Sequence, residues 1–329
     1  MKSRIFKRLL IGFLSIITVF VLLMITPRVW SALHPDQPPV GYHFLAPTYI
    51  AVGVGLEQTI NRRPAVPSDI QEIKNIEYKN VNGKSLRLDI YKQKNLSSTA
   101  PLLVFIHGGG WRSGDRADYL IYLIAFAKKG YVTATVSYRF LKDAPYPACA
   151  EDITDAVQWF YKNGGSYGYD PDRIALIGGS AGAHLAMLVA YHWKKPGTKS
   201  DSTSAQTNRI KAVVDIYGPT DFTTEFSRTN STVTGFLAKS YIEAPELYVE
   251  ASPIHYLSRN CPPTMILHGT SDQIVPISQS DLLKFRLDSL GVPNVYYKVL
   301  LWPHTMDVIK RVNQFSEAKM TMFFDKYLK

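Results

Sequence analysis

The 329-residue sequence predicts an α/β fold: a mostly parallel central sheet with helices on both faces, behind an N-terminal transmembrane helix. Three observations predict it. Short apolar runs suited to buried strands alternate with segments of helical length. A Gly-rich corner, "LIGGSAGAHLA", joins one such strand to one such helix. The chain also opens on "MKSRIFKRLLIGFLSIITVFVLLMITPRVW", four cations followed by an uncharged, mostly apolar run from Leu9 to Thr26.

The 18 residues of that run extend about 27 Å as a helix, close to the hydrocarbon thickness of a bilayer. A secretory signal has an apolar region of only about 7–15 residues. An uncleaved anchor over residues 1–30 is therefore expected, with cleavage after Ser31 as the alternative, since Val29 and Ser31 are small. The basic end stays in the cytoplasm, which sends the remainder across the membrane. Residues 31–70 contain a second apolar stretch, Val40–Leu56, followed by Arg62 and Arg63. As a second span it would return the main domain to the cytoplasm. Pro47 and three glycines make it a poor free-standing helix, so an interfacial or domain-packing segment is expected instead. "RRPAVPSD" (62–69) reads as a linker.

Residues 71–329 form the main domain. "EIKNIEYK" and "LRLDIYK" flank Asn82-Gly83, a hairpin signal. "PLLVFIH" suits a buried strand, and "ADYLIYLIAFAKKG" has helical length and a Lys-Lys-Gly stop. The pairing repeats with "YVTATVSY" and "CAEDITDAVQWFYKNG", then "RIALIG" and "AGAHLAMLVAYHW". Three further strands are "IKAVVDIYG", "PTMILHG" and "VYYKVLL"; "SQSDLLKFRLDSLG" and "SEAKMTMFFDKYL" read as helices. Residues 194–208 read as a polar surface loop, and the irregular, aromatic-bearing segment 221–255 as a small cap.

A 46% hydrophobic content supports a substantial core. The net charge of +10 is spread along the chain apart from the N-terminal cluster, with no zinc-finger spacing and no aromatic-plus-basic motif, which argues against nucleic-acid binding. Cys149 and Cys261 make neither a metal motif nor a disulfide framework, and two free thiols are expected.

Ser180 sits at the Gly-rich corner between Gly178 and Gly182. A tight turn alone accounts for small residues there. A nucleophile held up at the sheet edge, beside a helix N-terminus that favours negative charge, accounts for the serine as well. The phosphate-loop and dinucleotide-loop patterns do not fit these letters. An activated serine needs a base, and the base needs an orienting carboxylate. Asp272 follows a strand in "MILHGTSDQIVP", and His304 follows the last strand in "LWPHTMD". Both are expected at C-terminal strand ends, in the chain order serine, acid, histidine. His107, His184, His255 and His268 compete as bases; His184 is expected to pack along its helix, and His268 to bond backbone. Asp215, Asp221 and Asp307 compete as acids and read as surface or turn carboxylates. "HGGGW" (107–111) supplies unobstructed amides able to face an oxyanion.

Together "HGGGW", "SYR", "YGYDPDRIALIGGSAGAHLA", "YGPTDF", "HGTSDQIVP" and "PHTM" resemble the α/β-hydrolase superfamily, in its hormone-sensitive-lipase-like carboxylesterase branch, with similarity to feruloyl-esterase-like and arylformamidase-like members. The resemblance runs from about residue 70 to 329. It implies the α/β-hydrolase fold, Ser180 as nucleophile, His304 as base and Asp272 as its acid. It also implies oxyanion donors at Gly109, Gly110 and Ala181, with His107 bracing the glycine loop. Thr305 stands where the pattern more often has Gly or Ala. The implied partner is a small-molecule ester, with no metal or organic cofactor; the N-terminal seventy residues lie outside the resemblance, and the membrane is expected as a partner through the N-terminal helix. An amidase, arylformamidase-type enzyme or peptidase shares this machinery, and a non-catalytic binding module shares the fold.

Overall fold

The computed structural model describes residues 2–42, 45–96, 98–191 and 209–329; the loop expected at 194–208 lies outside the described residues. In chain order the elements are α1 (Lys2–Leu33), α2 (Leu45–Gly53), β1 (Ile70–Val81), β2 (Lys84–Gln93), β3 (Ala100–Ile106), α3 (Leu120–Lys128), β4 (Val132–Val136), α4 (Ala148–Tyr167), β5 (Tyr169–Gly179) and α5 (Ala181–Ala190). They continue with β6 (Ile210–Ile216), the short helices α6 (Glu225–Thr229), α7 (Ser231–Leu237) and α8 (Pro245–Glu250), then β7 (Thr264–Gly269), α9 (Ser278–Leu290), β8 (Asn294–Val299) and α10 (Lys310–Leu328).

The strands form one sheet in the order β1-β2-β4-β3-β5-β6-β7-β8, antiparallel through β1, β2 and β4 and parallel from β4 onward. The β1–β2 hairpin closes at Asn82-Gly83, where both residues take positive φ (50° and 82°), the twist that matches paired strands. Every residue of β3 and β4 is buried, as a strand covered on both faces requires. Side chains alternate between two cores. Leu102, Val104 and Ile106 of β3 join α4, α5 and α9 on one face; Leu103 and Phe105 join α3 and α10 on the other. Arg139, from the "SYR" stretch, donates from its guanidinium to the fully buried Asp152 of α4 and so ties the loop after β4 to that helix.

One N-terminal expectation changes in extent. α1 continues to Leu33, beyond the expected end at residue 30. Residues 31–70 pack against the main domain. Tyr42, Ala51 and Glu57 are buried against the domain, Thr59 bridges Ile309, and Arg62 pairs with Asp118 at 3.1 Å. α2 has only nine residues, about 14 Å of helix, too short to cross a bilayer. Helices α6, α7 and α8 occupy the segment expected as a cap. Cys149 and Cys261 are buried and free.

Candidate active site

Parallel strands place their C-terminal ends along one rim, and the loops leaving β3, β5, β6, β7 and β8 meet there. Ser180 follows β5 directly and turns the chain into α5 with φ 55° and ψ −124°. That backbone region costs on the order of 1–3 kcal/mol for a residue with a side chain. The crowding that imposes it is visible at Gly182, where a Cβ would stand 2.0 Å from the Ile106 carbonyl oxygen. Strain is concentrated at this rim: Trp111, Ser180, Tyr217 and Thr305 all take positive φ and line one cavity of about 560 Å³. Thr305, next to His304, holds φ 58°, a conformation that favours glycine.

His304 lines the same cavity as Ser180. Its Nδ1 lies 2.6 Å from Asp272 Oδ2. A carboxylate oxygen can only accept, so Nδ1 carries a proton, and in the neutral imidazole Nε2 is the nitrogen that keeps its lone pair. Among the described residues no hydrogen bond joins His304 to the Ser180 hydroxyl, a contact that commonly tightens only with substrate. Asp272 Oδ1 accepts from the amides of Ile274 and Val275, both at 2.9 Å. Its Oδ2 also faces His268 Nε2 at 3.2 Å. Burial alone would push this carboxyl up. Hydrogen bonds from His268 and His304, the His304 charge and the Val275 amide outweigh it and hold Asp272 well below the usual carboxylate range.

Gly109, Gly110 and Ala181 line the cavity beside Ser180. Among the described residues the Gly109 and Gly110 amides have no backbone acceptor, and the Ala181 amide opens α5, where no intrahelical acceptor exists. Gly109 takes φ 110°, and a Cβ there would lie 2.1 Å from the Ser113 carbonyl oxygen, so both backbone and space call for glycine. His107 stacks on Tyr138 with ring centroids 4.5 Å apart, its Nδ1 donates to the Gly108 carbonyl at 2.9 Å, and the Tyr138 hydroxyl donates to the His107 carbonyl at 2.9 Å. The imidazole is thus built into the underside of the glycine loop.

The competing residues separate cleanly. His184 is fully buried, donating from Nε2 to Ala251 O at 2.7 Å and accepting from Trp111 Nε1 at 3.3 Å; burial lowers its pKa to about 4. His255 is exposed in the cap and outside the cavity. His268 is the last residue but one of β7 and does more than bond backbone. Its Nε2 faces two acceptors, Asp272 Oδ2 and Val275 O, so that nitrogen carries the proton, while Nδ1 lies 2.7 Å from Ser280 Oγ. Asp221 caps a local turn by accepting from Thr223. The surface alternative fails for all three aspartates, because Asp215, Asp221 and Asp307 are buried. Asp215 ends inside β6, where strand pairing on both sides shields it. Asp307 lines the cavity and accepts from the Tyr217 hydroxyl, while the Tyr217 ring lies 4.5 Å from the His304 ring.

The sequence reading missed His268 as a second partner of Asp272, the Asp307–Tyr217 pair, and the N-terminal contribution of Ile60 and Arg62 to the cavity wall. The "H-x-x-x-D" spacing across a turn after a strand was the available signal for the first; the others depend on distant packing. The cap adds Phe226, Asn230 and Val233 to the lining. Among the described residues no group of three His, Cys, Asp or Glu side chains is placed to hold a metal ion.

A family model described as BD-FAE matches residues 88–287. The probable carboxylic ester hydrolase LipM of Mycobacterium tuberculosis is 30% identical, over 69% of this chain and 54% of the relative. Esterase LipQ of the same organism is 32% identical, over 66% of this chain and 53% of the relative. The chain spans about half the length of the curated relatives it matches. Among solved structures, a truncated carbohydrate esterase from gut microbiota superposes with a TM-score of 0.67 at 23% identity, covering 82% of this chain and 98% of that one, a likeness of fold.

Proposed function

The chain belongs to the BD-FAE family, and from that membership and the geometry of its cavity we propose that it is a serine carboxylic-ester hydrolase working through an acyl-enzyme on Ser180. The observation that carries the reading is one cavity lined by Ser180, by His304 with Nδ1 committed to Asp272, and by amides that have no backbone acceptor among the described residues. In this reading His304 Nε2 takes the Ser180 proton as Oγ attacks the ester carbonyl. The developing oxyanion is held by the amides of Gly109, Gly110 and Ala181, each worth up to about 3–4 kcal/mol to the transition state. Collapse expels the alcohol with the proton from His304. Water, deprotonated by the same imidazole, then cleaves the acyl-enzyme and releases the acid. Asp272 holds the tautomer and stabilises the imidazolium. Ser180→Ala is expected to cut turnover of a short p-nitrophenyl ester by roughly four to six orders of magnitude; wild-type turnover would remove the assignment.

The enzyme is held at a membrane by α1, whose most apolar 18-residue window has a mean hydropathy of 2.8 and is almost entirely exposed. Lys2, Arg4, Lys7 and Arg8 keep the N-terminus in the cytoplasm, leaving the catalytic domain on the far side. A reporter fused after residue 68 should be active only outside the cytoplasm; activity inside contradicts this orientation.

A further inference from the structure

α2 is uncharged and has two unlike sides. Ala51 is fully buried and Thr48 nearly so, whereas Tyr49 and Ile50 on the opposite side are 71% and 41% exposed, and Val54, the first residue past the helix, is 65% exposed. Large apolar side chains grouped in the open mark a surface that another phase or molecule covers.

The height of that surface along α1 is set by contacts. From Arg4 to Trp30 only Met24 and Pro27 are buried, and Met24 shares a buried cluster with Tyr42 and Ala51. Met24 lies two residues inside the end of the apolar run Leu9–Thr26, about 3 Å along the helix axis. Arg28 of α1 donates to the Leu56 carbonyl, just beyond α2. α2 is thus level with the last apolar turn of α1, the depth where hydrocarbon gives way to headgroups. Trp30, exposed and stacked on His34 one turn further on, is the residue type enriched at that boundary.

The attachment is rigid. Arg311 of α10 donates to Ser31 Oγ at 2.8 Å, to the Val40 carbonyl at 2.7 Å and to both oxygens of Glu57 at 2.9 and 3.0 Å. One guanidinium therefore ties α1, the stretch after it and the residues following α2 to the catalytic domain. From these observations we infer that α2 lies in the plane of the membrane, with Tyr49, Ile50 and Val54 in the headgroup–acyl boundary, and seats the catalytic domain on the bilayer that α1 crosses. This rests on the reading of α1 as an anchor. A few residues beyond α2 the chain supplies Ile60 and Arg62 to the catalytic cavity, and a groove that includes Val52 of α2 shares Ile60 and Ile121 with it. The cavity wall nearest the bilayer is then the one built by the N-terminal segment.

The test uses the full chain in phosphatidylcholine–phosphatidylglycerol vesicles. Both native cysteines are buried, so single cysteines introduced as Ile16→Cys, Val54→Cys and Phe285→Cys can carry an environment-sensitive fluorophore. Phe285 is exposed on α9, which covers the sheet face opposite α10. Brominated lipids are expected to quench most of the emission at positions 16 and 54 and leave 285 unaffected, while iodide quenches 285 and spares 54. Quenching by bromine at 16 with iodide quenching at 54 overturns the seating of α2 and leaves the anchor intact. Loss of bromine quenching at both overturns the anchor and the seating together. A label at 54 shielded from both quenchers marks a protein–protein contact and overturns the seating as well.

Discussion

The end of β6 and the turn after β7 each carry a buried aspartate at the same rim of the sheet, Asp215 and Asp272, and the two carboxyls behave oppositely. Asp215 accepts one amide, from Gly218 at 2.7 Å, and among the described residues its second oxygen has no partner. Burial pushes it up to about 7, against the charge of His268 and the Gly218 amide. Asp272 accepts two amides and faces two imidazoles, and it stays ionised far below that. Burial acts in the same direction on both; the number of donors turned toward each oxygen decides the outcome. Glu57 in the N-terminal clamp makes a third case: the Arg311 guanidinium and the Tyr42 hydroxyl at 2.9 Å satisfy it with a permanent charge. A carboxylate held by imidazoles can support proton transfer, whereas one held by a guanidinium can only join parts.

The largest effect that separates these two aspartates is on rate. Asp272→Asn should lower kcat on a short ester about 10⁴-fold by favouring the wrong His304 tautomer, with Asp215→Asn remaining within a few-fold of wild type. The reverse ranking would make Asp215 the orienting acid. Next in size is the clamp. Arg311→Met leaves the Glu57 carboxylate buried without its counter-charge, and chemical denaturation should register a loss of about 3–5 kcal/mol. A loss under about 1 kcal/mol, the range of exposed pairs, would place the clamp with surface ion pairs. The smallest effect concerns pH. Asp215 has its folded pKa raised, so its contribution to stability is complete below the unfolded carboxyl value and is lost as pH rises through about 7. Asp215→Asn removes that loss, so its stability relative to wild type should improve by on the order of 2 kcal/mol between pH 5 and pH 9. A difference constant with pH would show that Asp215 ionises at its ordinary value.

Legibility followed the range of the interaction concerned. The hairpin at Asn82-Gly83 and the strand-to-helix corner at Ser180 were readable because a few adjacent residues dictate the backbone there. The order of strands was not, since β4 inserts between β2 and β3 through contacts that no local pattern encodes. The surface alternative for Asp215, Asp221 and Asp307 failed because a carboxylate carries no mark of its own burial; elements packed from elsewhere in the chain impose it. His268 was assigned to backbone bonding and does meet Val275 O, yet its proximity to Asp272 Oδ2 follows from how the turn closes over Ser280.

The sequence by itself determined where strands and helices fall, that a serine stands on a crowded corner, and that an apolar helix leads the chain, because periodicity, glycine placement and composition act over neighbouring residues. Only the tertiary structure decided which oxygens receive donors, which histidine shares a cavity with Ser180, and how Ile60 and Arg62 come to wall that cavity. Those outcomes depend on distances between residues far apart in the chain, which are set when the sheet packs between its helices and the N-terminal segment closes against it.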